Sequence, residues 1–185
     1  MKIEGDFGPA GKAILSLRLL PLLPAKPRAV REMPALCDAK RWQPSGPREA
    51  KITVATVPEG ILVELDRGPS SPKWFQVSLN ITSQERPAAG ENALLLPVKI
   101  LEGEASLSVR LAEEKGGSFS LPYGMGERAK NDDGAVSFNA AVTAWTLSEP
   151  QRMLDPLQLR SVQIGGEAKN EKLKFVIKNV GWATF

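Results

Sequence analysis

The chain has 185 residues, 42% of them hydrophobic and 24% charged, a balance that can bury a core and is not that of a disordered chain. It lacks histidine, which excludes Ser-His-Asp and Cys-His catalysis and any histidine-ligated zinc or haem. It has one cysteine, Cys37, which excludes an internal disulfide and every CxxC metal site. The net charge of +3 is uneven: residues 1–48 hold nine basic and four acidic side chains, residues 49–185 fifteen and seventeen. The basic residues of the arm are dispersed and the main body is slightly acidic, so nucleic acid is not an expected partner.

No apolar run reaches the ~18–20 residues of a membrane span. The nearest, Ala13 to Ala25, is broken by Arg18 and Pro21 and preceded by Glu4 and Asp6, which is not the make-up of a signal peptide. Leu15, Leu17 and Leu19 alternate and predict a strand over about 13–20. Pro21, Pro24, Pro27 and Pro34 then keep the chain extended. Residues 1–35 therefore read as an N-terminal arm or linker with one strand, and residues 36–185 as a single β-sandwich domain.

From residue 49 the hydrophobic pattern has period two. Ile52 and Val54 precede a turn at Pro58-Glu59-Gly60, and Ile61, Val63 and Leu65 follow it. After the loop Arg67 to Pro72 come Phe75, Val77, Leu79 and Ile81. A polar loop from Thr82 to Asn92 separates these from Leu94, Leu96, Val98 and Ile100. Leu107, Val109 and Leu111 end at Gly116-Gly117, and a glycine-rich loop, Ser118 to Arg128 (SFSLPYGMGER), carries Tyr123. Val136, Phe138 and Val142 open another strand. Val162 and Ile164 are expected to stop at Gly165-Gly166, and Leu173, Phe175 and Ile177 to form the last strand. About eight or nine short strands with regular turn signals and no 3.6-residue stripe predict an all-β, two-sheet antiparallel β-sandwich or barrel.

Alternation also assigns faces, because successive side chains of a strand point to opposite sides. With Phe75, Val77, Leu79 and Ile81 inward, Trp74, Gln76, Ser78 and Asn80 face out. With Leu107, Val109 and Leu111 inward, Ser106, Ser108 and Arg110 face out. With Val136, Phe138, Val142 and Ala144 inward, Ser137, Asn139, Thr143 and Trp145 face out. Two tryptophans thus fall on polar faces among amides, hydroxyls and an arginine. Such a surface suits sugars, whose C–H faces stack on indole and whose hydroxyls bond to amides and guanidinium. The other reading covers both indoles with loops or swaps the inferred faces. Trp42, in a Pro/Gly-rich stretch, reads as a plug over the end of the core, and Trp182 as a packing residue near the C-terminus.

These segments carry a family likeness. Ala39 to Trp42, the strand 50–57, Gly60 to Asp66 and Lys73 to Ile81 (KWFQVSLNI, with its Trp-x-x-Val) resemble the opening of carbohydrate-binding modules of the galactose-binding-like, jelly-roll fold. Leu154 to Gly166 and Leu173 to Val180 (LKFVIKNV) are similar to the last two strands of such modules, and the likeness spans about residues 36–185. It implies a jelly-roll sandwich that binds a polysaccharide or its oligosaccharides, without catalysis, beside the catalytic module of a glycan-degrading enzyme, outside the cell or in the periplasm. The binding residues expected from the outward sets and the Tyr123 loop are Trp74, Gln76, Asn80, Arg110, Tyr123, Asn139 and Trp145. A structural calcium ion is a further implication, with Asp38 as candidate ligand. Lys178 stands where many relatives carry aspartate, and one carboxylate is little for a cation that takes six to eight oxygens.

Catalytic readings have less to stand on. Glu113-Glu114 and Asp132-Asp133 are adjacent in sequence and read as solvated charge, whereas glycoside hydrolysis needs two carboxylates across a cleft. A polysaccharide lyase would need Tyr123 with Arg110 or Arg128. A haem-b subunit would need axial ligands such as Met125, in a Met-Gly loop with Gly126, and Lys130. A ligand-free structural or interaction sandwich is the remaining alternative.

Overall fold

The computed structural model describes the backbone of residues 2–6, 12–16, 27–122, 127–130, 136–141 and 154–185, and the side chains of residues 27–120 and 154–185. Strands β1 (Lys2–Asp6) and β2 (Lys12–Ser16) pair only with each other among the described strands. The remaining strands are β3 (Ala29–Glu32), β4 (Trp42–Ser45), β5 (Lys51–Val57), β6 (Gly60–Asp66), β7 (Trp74–Asn80), β8 (Ala93–Leu95), β9 (Val98–Glu102) and β10 (Ala105–Glu113). They continue with β11 (Ser118–Pro122), β12 (Glu127–Lys130), β13 (Val136–Ala141), β14 (Leu159–Ala168), β15 (Lys172–Ile177) and β16 (Gly181–Thr184).

They form a two-sheet antiparallel jelly-roll sandwich. One sheet has the order β11-β10-β14-β7-β4. The other runs β3-β16-β8-β13-β9-β15-β6-β5, with β12 added on β13. Register puts like with like on each inner face: Ile61, Val63 and Leu65 of β6 lie across from Ile177, Phe175 and Leu173 of β15. On the smaller sheet Val77 and Leu79 of β7 face Ile164 and Val162 of β14, which face Val109 and Leu111 of β10. The two faces meet in one buried cluster, where the Phe75 and Phe175 rings approach to 5.9 Å between centroids in a tilted pair. Trp42 and Trp182 are buried packing residues. Their indole N–H groups donate to the Leu36 and Glu85 carbonyls at 2.7 and 2.8 Å, which makes burial of a polar edge affordable.

Six expectations need correction. Residues 1–35 hold three described strands and not one, and the third, β3, joins the larger sheet through β16. Ser118–Pro122 is not loop but strand β11, because it pairs along β10. Gly165-Gly166 does not end a strand: β14 runs through it to Ala168, because β10 and β7 pair with it on both sides. The Leu94 to Ile100 run is two strands, broken at Leu96-Pro97, where proline has no N–H for the ladder. Ile177 is not the last strand residue, since β16 follows and joins β8 to β3. Glu113 is not a solvated turn residue. It ends β10 fully buried, and its carboxylate accepts the Asp155 backbone N–H at 2.7 Å. Glu114 does reach solvent and pairs with Arg86.

Candidate functional site

The outer face of the five-stranded sheet carries four of the seven predicted binding residues, Trp74, Gln76, Asn80 and Arg110. In β7, Phe75, Val77 and Leu79 are buried, Trp74 and Asn80 exposed, and Gln76 and Ser78 half-buried, as alternation requires. In β10, Leu107, Val109 and Leu111 are buried, while Ser106 and Arg110 are exposed and Ser108 is half-buried. Trp74 leaves 45% of its surface in solvent.

Register turns these strands into polar rows across the sheet. One row reads Ser120, Arg110, Gln163, Ser78 and Gln43, one residue from each of the five strands. The next holds Ser108, Gly165, Gln76 and Ser45, and the one beyond it Ser106, Glu167 and Trp74. At the usual strand spacing five strands span about 19 Å. Between the rows lies a shallow hollow of about 260 Å³, lined by Gln76, Ser108, Arg110, Ser120, Gln163 and the backbone of Gly165 and Gly166. Gly165 makes the floor. A Cβ there would lie 2.4 Å from the Phe75 carbonyl oxygen, so only glycine permits the strands to approach this closely, and the floor stays bare backbone.

The predicted residues do not all come together here. Trp74, Gln76, Asn80 and Arg110 share this face. Asn139 belongs to β13, opposite Leu95, in the other sheet, and its side chain lies outside the described residues. Tyr123 and Trp145 also lie outside them, as do Met125, Gly126 and the Asp132-Asp133 pair. The backbone of Arg128 is in β12, opposite Phe138, so Arg110 and Arg128 stand on strands of different sheets. Ser120, Gln163 and Gly165 are new members. The first two were hidden by reading residues 118–122 as loop and Gly165 as a stop, although Val162 and Ile164 as inward residues already imply an outward Gln163.

A second hollow of about 360 Å³ lies on the outer face of the other sheet, over β5, β6 and β15. Its charges answer one another. Lys51 and Lys172 flank Asp66, and Lys174 stands between Glu64 and Glu102, with its Nζ 2.7 Å from Glu64 Oε1. Glu64 is lowered and Lys174 raised from their ordinary values by that hydrogen bond. An exposed lattice of matched charges is what a solvated sheet face wears.

Asp38 caps the short 3-10 turn Ala39–Arg41, with Oδ1 accepting the Lys40 N–H at 3.0 Å. Among the described residues no three Asp, Glu, His or Cys side chains gather around a common point. No described helix is long and apolar enough to cross a membrane.

No protein-family model and no curated protein matches the sequence. Solved structures do match in fold. A family 11 carbohydrate-binding module from Clostridium thermocellum, in complex with a β-1,3-1,4-mixed-linked tetrasaccharide, superposes with a TM-score of 0.54 at 13% identity, over 78% of this chain and 89% of that one. The family 11 module of a cellulosomal cellulase of the same organism gives 0.55 at 12% identity, over 85% and 95%. A family 30 module from that organism gives 0.53 at 10% identity, over 78% and 91%. At these identities the likeness is one of architecture: the chain has the β-sandwich fold of carbohydrate-binding modules.

Proposed function

We propose that this chain is a non-catalytic carbohydrate-binding module whose ligand, a polysaccharide or an oligosaccharide cut from one, lies across the outer face of the five-stranded sheet. One observation carries the reading: a five-strand-wide face of amides and hydroxyls with one guanidinium and, toward its margin, one carboxylate, hollowed over a glycine floor, with a half-exposed tryptophan at its margin. Sugar rings offer an apolar face to stack and hydroxyls that both donate and accept, and this surface supplies the complement of each. A bare tryptophan on a sheet is otherwise a liability. The oligosaccharide bound by the fold-related family 11 module supports the same ligand class. The reading includes a glycan-degrading catalytic partner and an extracellular or periplasmic setting. It gives calcium no part in ligand binding.

Affinity gel electrophoresis against a panel of soluble polysaccharides tests it. Retardation by at least one glycan is expected. Trp74→Ala removes a stacking surface that folding leaves exposed, so it weakens retention by about tenfold or more without lowering thermal stability. Absence of retardation on every glycan would instead favour a ligand-free interaction domain.

A further inference from the structure

The hollow on the five-stranded sheet has a sign. Of the residues that line it, Arg110 alone is charged, and the rest are amides, hydroxyls, one phenylalanine and glycine backbone. Register seats Arg110 between Ser120 and Gln163, second in its row of five and not on the edge strand. Four other arginines of the described residues are answered, whereas Arg28, Arg48 and Arg160, exposed like Arg110, do not line the hollow. Arg31 grips both oxygens of Glu91 at 2.7 Å, Arg41 is bidentate on Glu85, and Arg86 meets Glu114. Arg67, buried, is wrapped by the carbonyls of Asn170, Ser71 and Gly68. Arg110 is exposed, and among the described residues nothing accepts from its guanidinium.

We infer that the face is built for an anionic glycan, in which a uronate carboxylate or a sulfate ester docks on Arg110 while Gln76, Gln163 and Ser108 hold neighbouring hydroxyls. The inference rests on the carbohydrate-binding reading above and narrows it. A guanidinium presents a planar fork of N–H donors matched to two oxygens of an oxyanion, and hydroxyl-rich neutral sugars leave that fork half used. Glu167, in the row that also holds Trp74, lies one row beyond Ser108 and two beyond Arg110, counting along the strands. It therefore leaves the guanidinium available and sets an anionic limit on that side of the hollow.

Calorimetric titration with an oligogalacturonate and with its methyl ester separates charge from sugar shape, and an alginate oligosaccharide and a sulfated galactan extend the anionic arm. Cellulose and mixed-linked glucan oligosaccharides form the neutral arm. The expected result is binding of at least one anionic glycan, with loss of about tenfold or more when its charge is masked or when Arg110 is changed to Gln. Arg110→Lys keeps the charge without the fork and falls between. Rising salt weakens the anionic ligand and leaves the neutral ones unchanged. A module that prefers neutral glycans and binds them equally well as Arg110→Gln overturns this inference and keeps the carbohydrate reading. A module that binds no glycan in either arm overturns both. Arg110 is exposed, so its variants are expected to fold, and their melting curves verify this.

Discussion

Burial decides what a given side chain does in this protein, and the tryptophans and glutamates both show it. Trp42 and Trp182 are sealed in the core and the indole N–H of each is spent on a backbone carbonyl, while Trp74 leaves nearly half of its surface in water. Glu85 is buried yet ionised. Arg41 donates to both of its oxygens, the Thr82 N–H and hydroxyl donate as well, and the bond from Arg41 above all holds the carboxyl at about 2. Glu91, lowered by Arg31, is a weaker copy of the same device. A carboxyl held below its unfolded-state value stabilises the fold above that unfolded value, and the contribution fades as protons are added through the folded one. Glu85 should therefore lend on the order of 3 kcal/mol at neutral pH, lost between about pH 5 and pH 2. Glu85→Gln is expected to melt well below the parent at pH 7, because it strands the Arg41 charge, and to converge with it near pH 2. Melting curves of both proteins across that range check this; parallel curves would refute the linkage.

At the scale of the strand, β14 sets the shape of the binding face through two glycines of different kinds. Gly165 is flat and crowded by β7. Gly166 has φ of +155°, and a Cβ there would fall 1.8 Å from the Ser106 carbonyl oxygen. Gly166→Ala must therefore push β10 and β14 apart and should cost at least about 2 kcal/mol in a denaturant titration, whereas Gly68→Ala, with open space around it, should stay within about 0.5 kcal/mol. Equal effects of the two would mean that the pairing at Gly166 is looser than described. The same strand marks the limit of what the sequence discloses. Period two alone assigns Trp74, Gln76, Ser106 and Arg110 to outer faces, because a buried sheet face forces alternation. It cannot distinguish a glycine pair that turns the chain from one that lets two strands close on each other, since both exploit the missing Cβ. Nor can alternation tell which strands become neighbours. The rows that join Arg110 to Gln163 and Gln76 to Gly165 are products of pairing between residues more than fifty positions apart.

The whole molecule closes its larger sheet with its own N-terminal region. Ala29 to Glu32 lie along β16, Arg28 and Met33 donate backbone bonds to Thr184 and Val180, and Arg31 ties the strand to Glu91 and to the Arg86 carbonyl. The hairpin of β1 and β2 has no such tie to any other described strand. Edge coverage, more than the basic charge of the arm, is thus the contribution of this region to the fold. Two truncations separate the two. A chain beginning at residue 27 keeps β3 and should melt within about 2 °C of the full chain. A chain beginning at residue 34 loses the strand, uncovers the edge of β16 and leaves the nearly buried Glu91 without its guanidinium. Breaking such a partly buried pair alone costs on the order of 2–3 kcal/mol, which for a domain of this size lowers the melting temperature by about 5–10 °C. Equal melting of the two truncations would show that the edge strand is dispensable and that the sandwich is complete without residues 29–32; a collapse of both would place essential contacts in the first 26 residues instead. Because β3 belongs to the larger sheet and the hollow to the smaller, glycan retention by the chain beginning at residue 34, measured below its lowered melting temperature, should match that of the full chain.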